Sequence, residues 1–177
     1  MRRENTIFNL KLTALMIVAS VVLPFAEDVL PFGERLVLAQ IPVLLAGLLC
    51  GAAYGAVVGV LAPFLSFVIT GAPALYPDAV AMALEYALFA AVASPIFRGF
   101  ARRIGSLYAS LFTAMVAGRL AYLGAFYVML ELKKQPYTLA PLVQQEFVTC
   151  LPGLVLQLIA VPLLILAADQ AGVLDEV

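Results

Sequence analysis

The sequence predicts an all-α integral membrane protein, six transmembrane helices in one bundle, and three observations carry that prediction. Of the 177 residues, 64% are hydrophobic and 12% charged, with a mean hydropathy of +1.07, a balance no water-soluble domain of this size sustains. The apolar runs are continuous and rich in Leu, Ala and Val rather than alternating, so the backbone satisfies itself as helix and not as barrel strand. No charge falls between Arg35 and Asp78. One helix over Leu36 to Thr70 would reach roughly 50 Å against a hydrocarbon core of about 30 Å, so this stretch must turn back on itself.

The elements follow in order, within a single domain over 1–177. Arg2 and Arg3 precede an apolar run from Ile7 to Phe25, which lacks a small-residue cleavage site and reads as a retained first helix. A polar loop, Glu27 to Arg35, leads into the long apolar stretch, whose break is expected at Gly51-Ala52-Ala53-Tyr54-Gly55. Gly71 to Asp78 is a turn-rich connector, with Asp78 placed to favour the positive end of a fourth helix running to about Phe97. Arg98, Arg102 and Arg103 form a basic loop before a fifth helix, Ile104 to Leu130. Glu131 to Pro141 is polar, and the last helix covers roughly Leu142 to Ala168.

Lys and Arg are retained on the cytoplasmic side, which sets the orientation. With the N-terminus inside, Arg2, Arg3, Lys11, Arg98, Arg102 and Arg103 lie inside against Arg35, Lys133 and Lys134 outside, so both termini are expected in the cytoplasm. The first, third and fifth loops would then roof an outward-facing pocket, with Phe32, Tyr76, Pro136 and Tyr137 among their Pro and aromatic residues. Cys50 and Cys150 fall on opposite sides in this topology and are not expected to pair.

The sequence holds no histidine, phosphate-binding loop, paired zinc ligands or nucleophile elbow, so no catalytic or metal residue is assigned, no cofactor is implied and nucleic-acid binding has no support. Polar residues at membrane depth are the remaining candidates, because a charge there is costly unless it pairs or lines water. Glu85 and Arg119 are expected to pair, either bordering a ligand or only pinning helix four to helix five. Gln157 is a candidate for ligand contact or an interhelical hydrogen bond. Gln40 and Glu146 lie nearer the surface and are weaker candidates, and Tyr76 belongs to a loop over the pocket. Gly47, Gly51, Gly55 and Gly59 keep a four-residue spacing that suits either internal helix packing or a partner.

The segments IPVLLAGLLCGAAYGAVVGVLAPFLSFVITGAP, AVAMALEYALF, AMVAGRLAY and LPGLVLQL, in that order, resemble the substrate-binding S-component of energy-coupling factor (ECF) transporters over nearly the whole chain. The resemblance implies a subunit of the cell membrane that binds a vitamin or vitamin precursor from outside. It also implies a transmembrane coupling subunit and two ATPases as partners. Members associated with pantothenate or with cobalamin and its benzimidazole precursor are the most similar. The resemblance places a pocket in the outer half, on the later helices and outer loops, to which Glu85, Arg119 and Gln157 map, with Gln40 and Tyr76 as further substrate-binding candidates. It places coupling-subunit contact on helices one to three, at Ala14 and the four glycines, although the family's frequent AxxxA of helix one is absent, Ala14 and Ala19 being five apart. A stand-alone secondary transporter or channel, or a small membrane enzyme, are the rival classes.

Overall fold

The computed structural model describes residues 2–27, 29–30, 35–100, 104–133 and 139–173, and among them helices joined by short turns are the regular structure. Helix α1 is Arg2–Glu27, α2 Gln40–Leu49, α3 Ala52–Thr70, α4 Val80–Gly99 and α5 Ile104–Leu132. The last crossing is composite: α6, Leu139–Val143, passes through a π-helical turn, Gln144–Thr149, into α7, Leu151–Gln170. A second π-helical turn, Leu75–Ala79, leads into α4. Phe32, Pro136 and Tyr137, and the loop charges Arg102, Arg103 and Lys134, lie outside the described residues, as do the side chains of Arg2 and Arg3.

Among the described residues five helices are long and apolar enough to cross a membrane, and a sixth, shorter apolar helix packs with them in one bundle, in keeping with the expected six. The sixth, α2, has only ten residues, about 15 Å, and all ten are buried. Its loss of length comes from residues 36–39, which turn instead of continuing the helix, with Val37 at φ 49°. That conformation is strained for a β-branched residue and persists only where its surroundings hold it.

The hairpin break falls at Cys50 and Gly51, within the expected region at its first glycine. Gly51 has φ 108°, outside the range an L side chain adopts readily, and the exposed Arg98 closes the turn by donating from Nη2 to the Leu49 carbonyl at 2.7 Å. From this turn α2 and α3 run side by side against α4, which packs most extensively on α3 and α5 and occupies the centre of the bundle.

Close backbone approach at that centre accounts for the glycine spacing. A Cβ at Gly47 would lie 2.8 Å from Ala90 Cα, one at Gly55 2.6 Å from Gly47 Cα, and one at Gly59 2.6 Å from the Tyr86 carbonyl carbon. These three glycines seat α2 and α3 on each other and on α4, and Gly51 is buried in the turn. Internal packing, one of the two roles expected of the glycine spacing, therefore accounts for Gly47, Gly55 and Gly59, whose ridge is filled from within. Ala14, by contrast, stands exposed on α1 beside Leu10, Leu15 and Val18.

Candidate functional site

The end of the bundle that gathers residues 35–39, 71–79 and 139–150 is where polar chemistry collects. Glu27, the last residue of α1, accepts a hydrogen bond from the Leu38 amide and ties the turn before α2 to α1. On the other side Gln157 of α7 donates from Nε2 to Gln40 Oε1 at 2.9 Å and to the Val37 carbonyl at 3.3 Å. Gly153 lets α7 approach this turn, since a Cβ there would sit 2.5 Å from the Leu36 carbonyl oxygen. Val37 is therefore held in its strained conformation by contacts from both flanks.

Because α2 begins only at Gln40, its ten residues flank the first half of the nineteen-residue α3 and leave the second half uncovered. A cavity of about 420 Å³ occupies that space. Ser20, Val21, Pro24, Phe25 and Glu27 of α1, Ala62, Pro63, Ser66 and Thr70 of α3, and Met82 and Tyr86 of α4 wall it, and Val37, Ala39, Ala72 and Pro73 of the connecting turns complete the lining. The volume falls within the range of small-molecule sites, as does the mixture of apolar walls with a few polar groups. Tyr86 is 1% exposed and its hydroxyl is buried without a hydrogen-bond partner. A buried orphan hydroxyl is costly, which makes it a mark of a site whose occupant supplies the bond.

Behind the cavity, across α4, lies a second cluster. Arg119, 1% exposed, pairs with Glu146 rather than with Glu85: its Nη1 donates to Glu146 Oε2 at 2.6 Å and to the Glu146 carbonyl at 2.7 Å. The expected Glu85–Arg119 pair is thus corrected. The π-helical turn over Gln144–Thr149 and the break at Cys150 bring Glu146 inward to a position a straight helix would not give it. Arg119 Nε and Nη2 are buried and unpartnered, and so are Glu85 Oε1 and Gln157 Oε1.

None of the five residues expected at the ligand lines the cavity. Glu85, Arg119, Gln157 and Gln40 are buried around the bundle axis, and Tyr76 donates its hydroxyl to the Met129 carbonyl at 3.0 Å beneath Lys133, tying the connector to α5. Among the described residues the cavity is walled by α1, α3 and α4, and none of its lining comes from α5 or α7. Sequence reasoning missed Glu27, Tyr86, Ser66 and Thr70 as residues of the cavity wall. The available signal was Tyr86 itself, a phenol within an otherwise apolar helix that also carries Glu85.

Gln157 bridges two elements, so its loss has a readable consequence. Replacing Gln157 by leucine leaves Gln40 Oε1 and the Val37 carbonyl without their donor, and is expected to cost about 1–3 kcal/mol. Gln40→Leu should cost less, because Gln157 keeps its bond to Val37. Thermal unfolding of both variants in detergent checks the order, and a greater loss from Gln40→Leu would contradict it.

The model of the family "ECF transporter, substrate-specific component" matches residues 8–165. The chain belongs to this family. Comparisons with curated proteins and with solved structures returned no match. As an ECF substrate-specific component the chain is a multi-pass membrane protein and a transporter subunit, and membership implies association with coupling and ATPase subunits. The absence of a phosphate-binding loop in the sequence accords with that division of labour.

Proposed function

We propose that this chain captures a vitamin or vitamin precursor at the outer face of the cell membrane and delivers it to a transmembrane coupling subunit driven by two ATPases. The observation that carries the reading is the 420 Å³ cavity at the end opposite Arg98, with the partnerless Tyr86 hydroxyl in its wall. The charge distribution supports an outward mouth, with both termini cytoplasmic. A cavity of this volume accepts a molecule the size of pantothenate or a benzimidazole and is too small for the whole corrinoid of cobalamin. Coupling-subunit contact is assigned to the exposed apolar face of α1 around Ala14, since the hairpin glycines are spent within the bundle.

A second reading is favoured by the unpartnered Nε and Nη2 of Arg119, one edge of a guanidinium and the geometry that grips a carboxylate with two parallel bonds. In that reading an acid such as pantothenate enters between α5 and α7, and Glu85, Gln157, Gln40 and Tyr76 surround its path.

Uptake tests the function. Cells expressing the chain with a coupling subunit and ATPases are expected to accumulate the labelled substrate, whereas the chain alone binds it without accumulation. Concentrative uptake by the chain alone would establish a self-sufficient transporter instead. A saturating vitamin should also stabilise the purified protein, by about 2.7 kcal/mol at one hundred times its Kd.

A further inference from the structure

We infer that Glu85 is a buried proton-binding site: it stands in this fold as the neutral acid, and it ionises to become the counter-charge of Arg119 when Glu146 withdraws. It does so whatever the cavity holds. Three buried ionisable side chains gather between α4, α5 and the composite last crossing, Glu85 at 2% exposure, Arg119 at 1% and Glu146 at 9%. Arg119 and Glu146 neutralise each other at 2.6 Å. A second carboxylate beside them would leave one unmatched negative charge in the interior, and a proton on that carboxylate removes the cost. Glu85 lies within electrostatic reach of both partners, yet neither bonds to it, and its Oε1 is buried without a donor. An ionised carboxylate in a dry interior draws donors to itself, as Glu146 draws Arg119. Glu85 has drawn none.

No other cation stands close enough to change that count. The sequences of α2 and α3 carry no Asp, Glu, Lys or Arg, and the phenol of Tyr54 lies at the far start of α3. Asp78, two turns before Glu85, is a further acid, and Tyr86 faces the cavity that Glu27 shares. On α5, Tyr122 belongs to the apolar cluster around Ala81 and Phe126, and at the start of α7 the Cys150 thiol is buried. Arg119 is thus the one guanidinium or ammonium that acts on Glu85.

The same geometry provides for an exchange of partners. A Cβ at Gly118 would lie 3.1 Å from the Glu85 carbonyl oxygen, so α4 and α5 run close together beside Arg119. Nη1 of Arg119 holds Glu146, while Nε and Nη2 are buried and unpartnered. Packing of α4 on α5 is far more extensive than that of the last crossing on α5, so Glu85 stays beside Arg119 if the π-helical turn moves away. In that event the Glu85 O–H bond breaks, the proton passes to solvent on the opened side, and the carboxylate accepts from the guanidinium edge that Glu146 never used. Separation of Glu146 from Arg119 is therefore opposed at low pH and favoured at high pH.

Equilibrium unfolding of the purified full chain in detergent, followed by circular dichroism between about pH 5 and pH 8, tests this with Glu85→Gln, Glu146→Gln and the two combined. Folding of the parent takes up a proton at Glu85, which is ionised in the unfolded chain over this range. Stability therefore falls as pH rises, this one group lowering the folding equilibrium roughly tenfold per pH unit. Glu85→Gln, which has the shape of the neutral acid, should fold, come closest to the parent near the acid end and exceed it increasingly toward the alkaline end. The infrared difference spectrum of parent minus Glu85→Gln should contain the carbonyl stretch of a protonated carboxyl at neutral pH. That band should be missing in the Glu146→Gln background, where Glu85 has ionised. There Glu85→Gln should become destabilising, because it removes the last counter-charge of Arg119. Identical pH slopes for the parent and Glu85→Gln would overturn the inference, as would the absence of the acid band from the parent. An effect of Glu85→Gln that is the same with and without Glu146 would overturn it too.

Discussion

Gly55→Leu is expected to abolish the folded protein rather than to uncouple it from a partner. A Cβ at Gly55 would come within 2.5 Å of Ala90 Cβ and 2.6 Å of the Gly47 backbone nitrogen, so α2, α3 and α4 would all have to part to admit the side chain. Overpacking in a core ordinarily costs about 1–3 kcal/mol, with side chains giving way. Here the obstructing atoms include the backbone of an antiparallel helix, which has no rotamer to change, so the cost should exceed that range. Gly59→Leu meets the backbone of Tyr86 and Ala87 and should behave likewise, while Ala14→Leu, on an exposed face, should leave the fold intact. Size-exclusion profiles of the three variants, then co-purification with a coupling subunit for those that fold, provide the measurement. Folded Gly55→Leu protein that had lost only its partner would return the glycines to the docking surface.

The same residues show what could be read in advance. The four-residue glycine spacing is visible in the sequence, and so is the need for a turn within the charge-free run; both follow from local steric rules and hydropathy. The partner of the ridge is not visible, because Ala90 and Tyr86 lie more than thirty residues beyond Gly55 and nothing in an apolar stretch names the helix it will meet. The shortness of α2 was illegible for a related reason. Leu36 to Ala39 is as apolar as the helix that follows, and it turns because Glu27 and Gln157, from opposite ends of the chain, bind its backbone. That tertiary interruption opens the cavity, so the fold class was legible while the site was not. Glu146 was underrated because depth was counted along a straight helix, and the π-helical turn moves it inward to Arg119.

Removing either partner of the Arg119–Glu146 pair is expected to destabilise the protein by about 3–5 kcal/mol, since each single replacement strands the other charge in a buried, low-dielectric position. The two losses should not be equal. Arg119 also donates to the Glu146 backbone carbonyl, so Arg119→Gln loosens the π-helical turn itself, whereas Glu146→Gln keeps that bond and removes only the side-chain charge. Arg119→Gln should therefore be the worse of the two, and the double replacement should recover part of the loss because no charge remains unmatched between them. Glu85 supplies the decisive comparison. Its Oε1 makes no hydrogen bond, so adding Glu85→Gln to Arg119→Gln should restore less stability than adding Glu146→Gln does. Reversible unfolding in detergent, followed by circular dichroism across the single and paired variants, measures both couplings. Recovery through Glu85→Gln equal to or greater than recovery through Glu146→Gln would mean that Glu85 is the working partner of Arg119 after all, and that the composite last helix positions its glutamate for some other purpose.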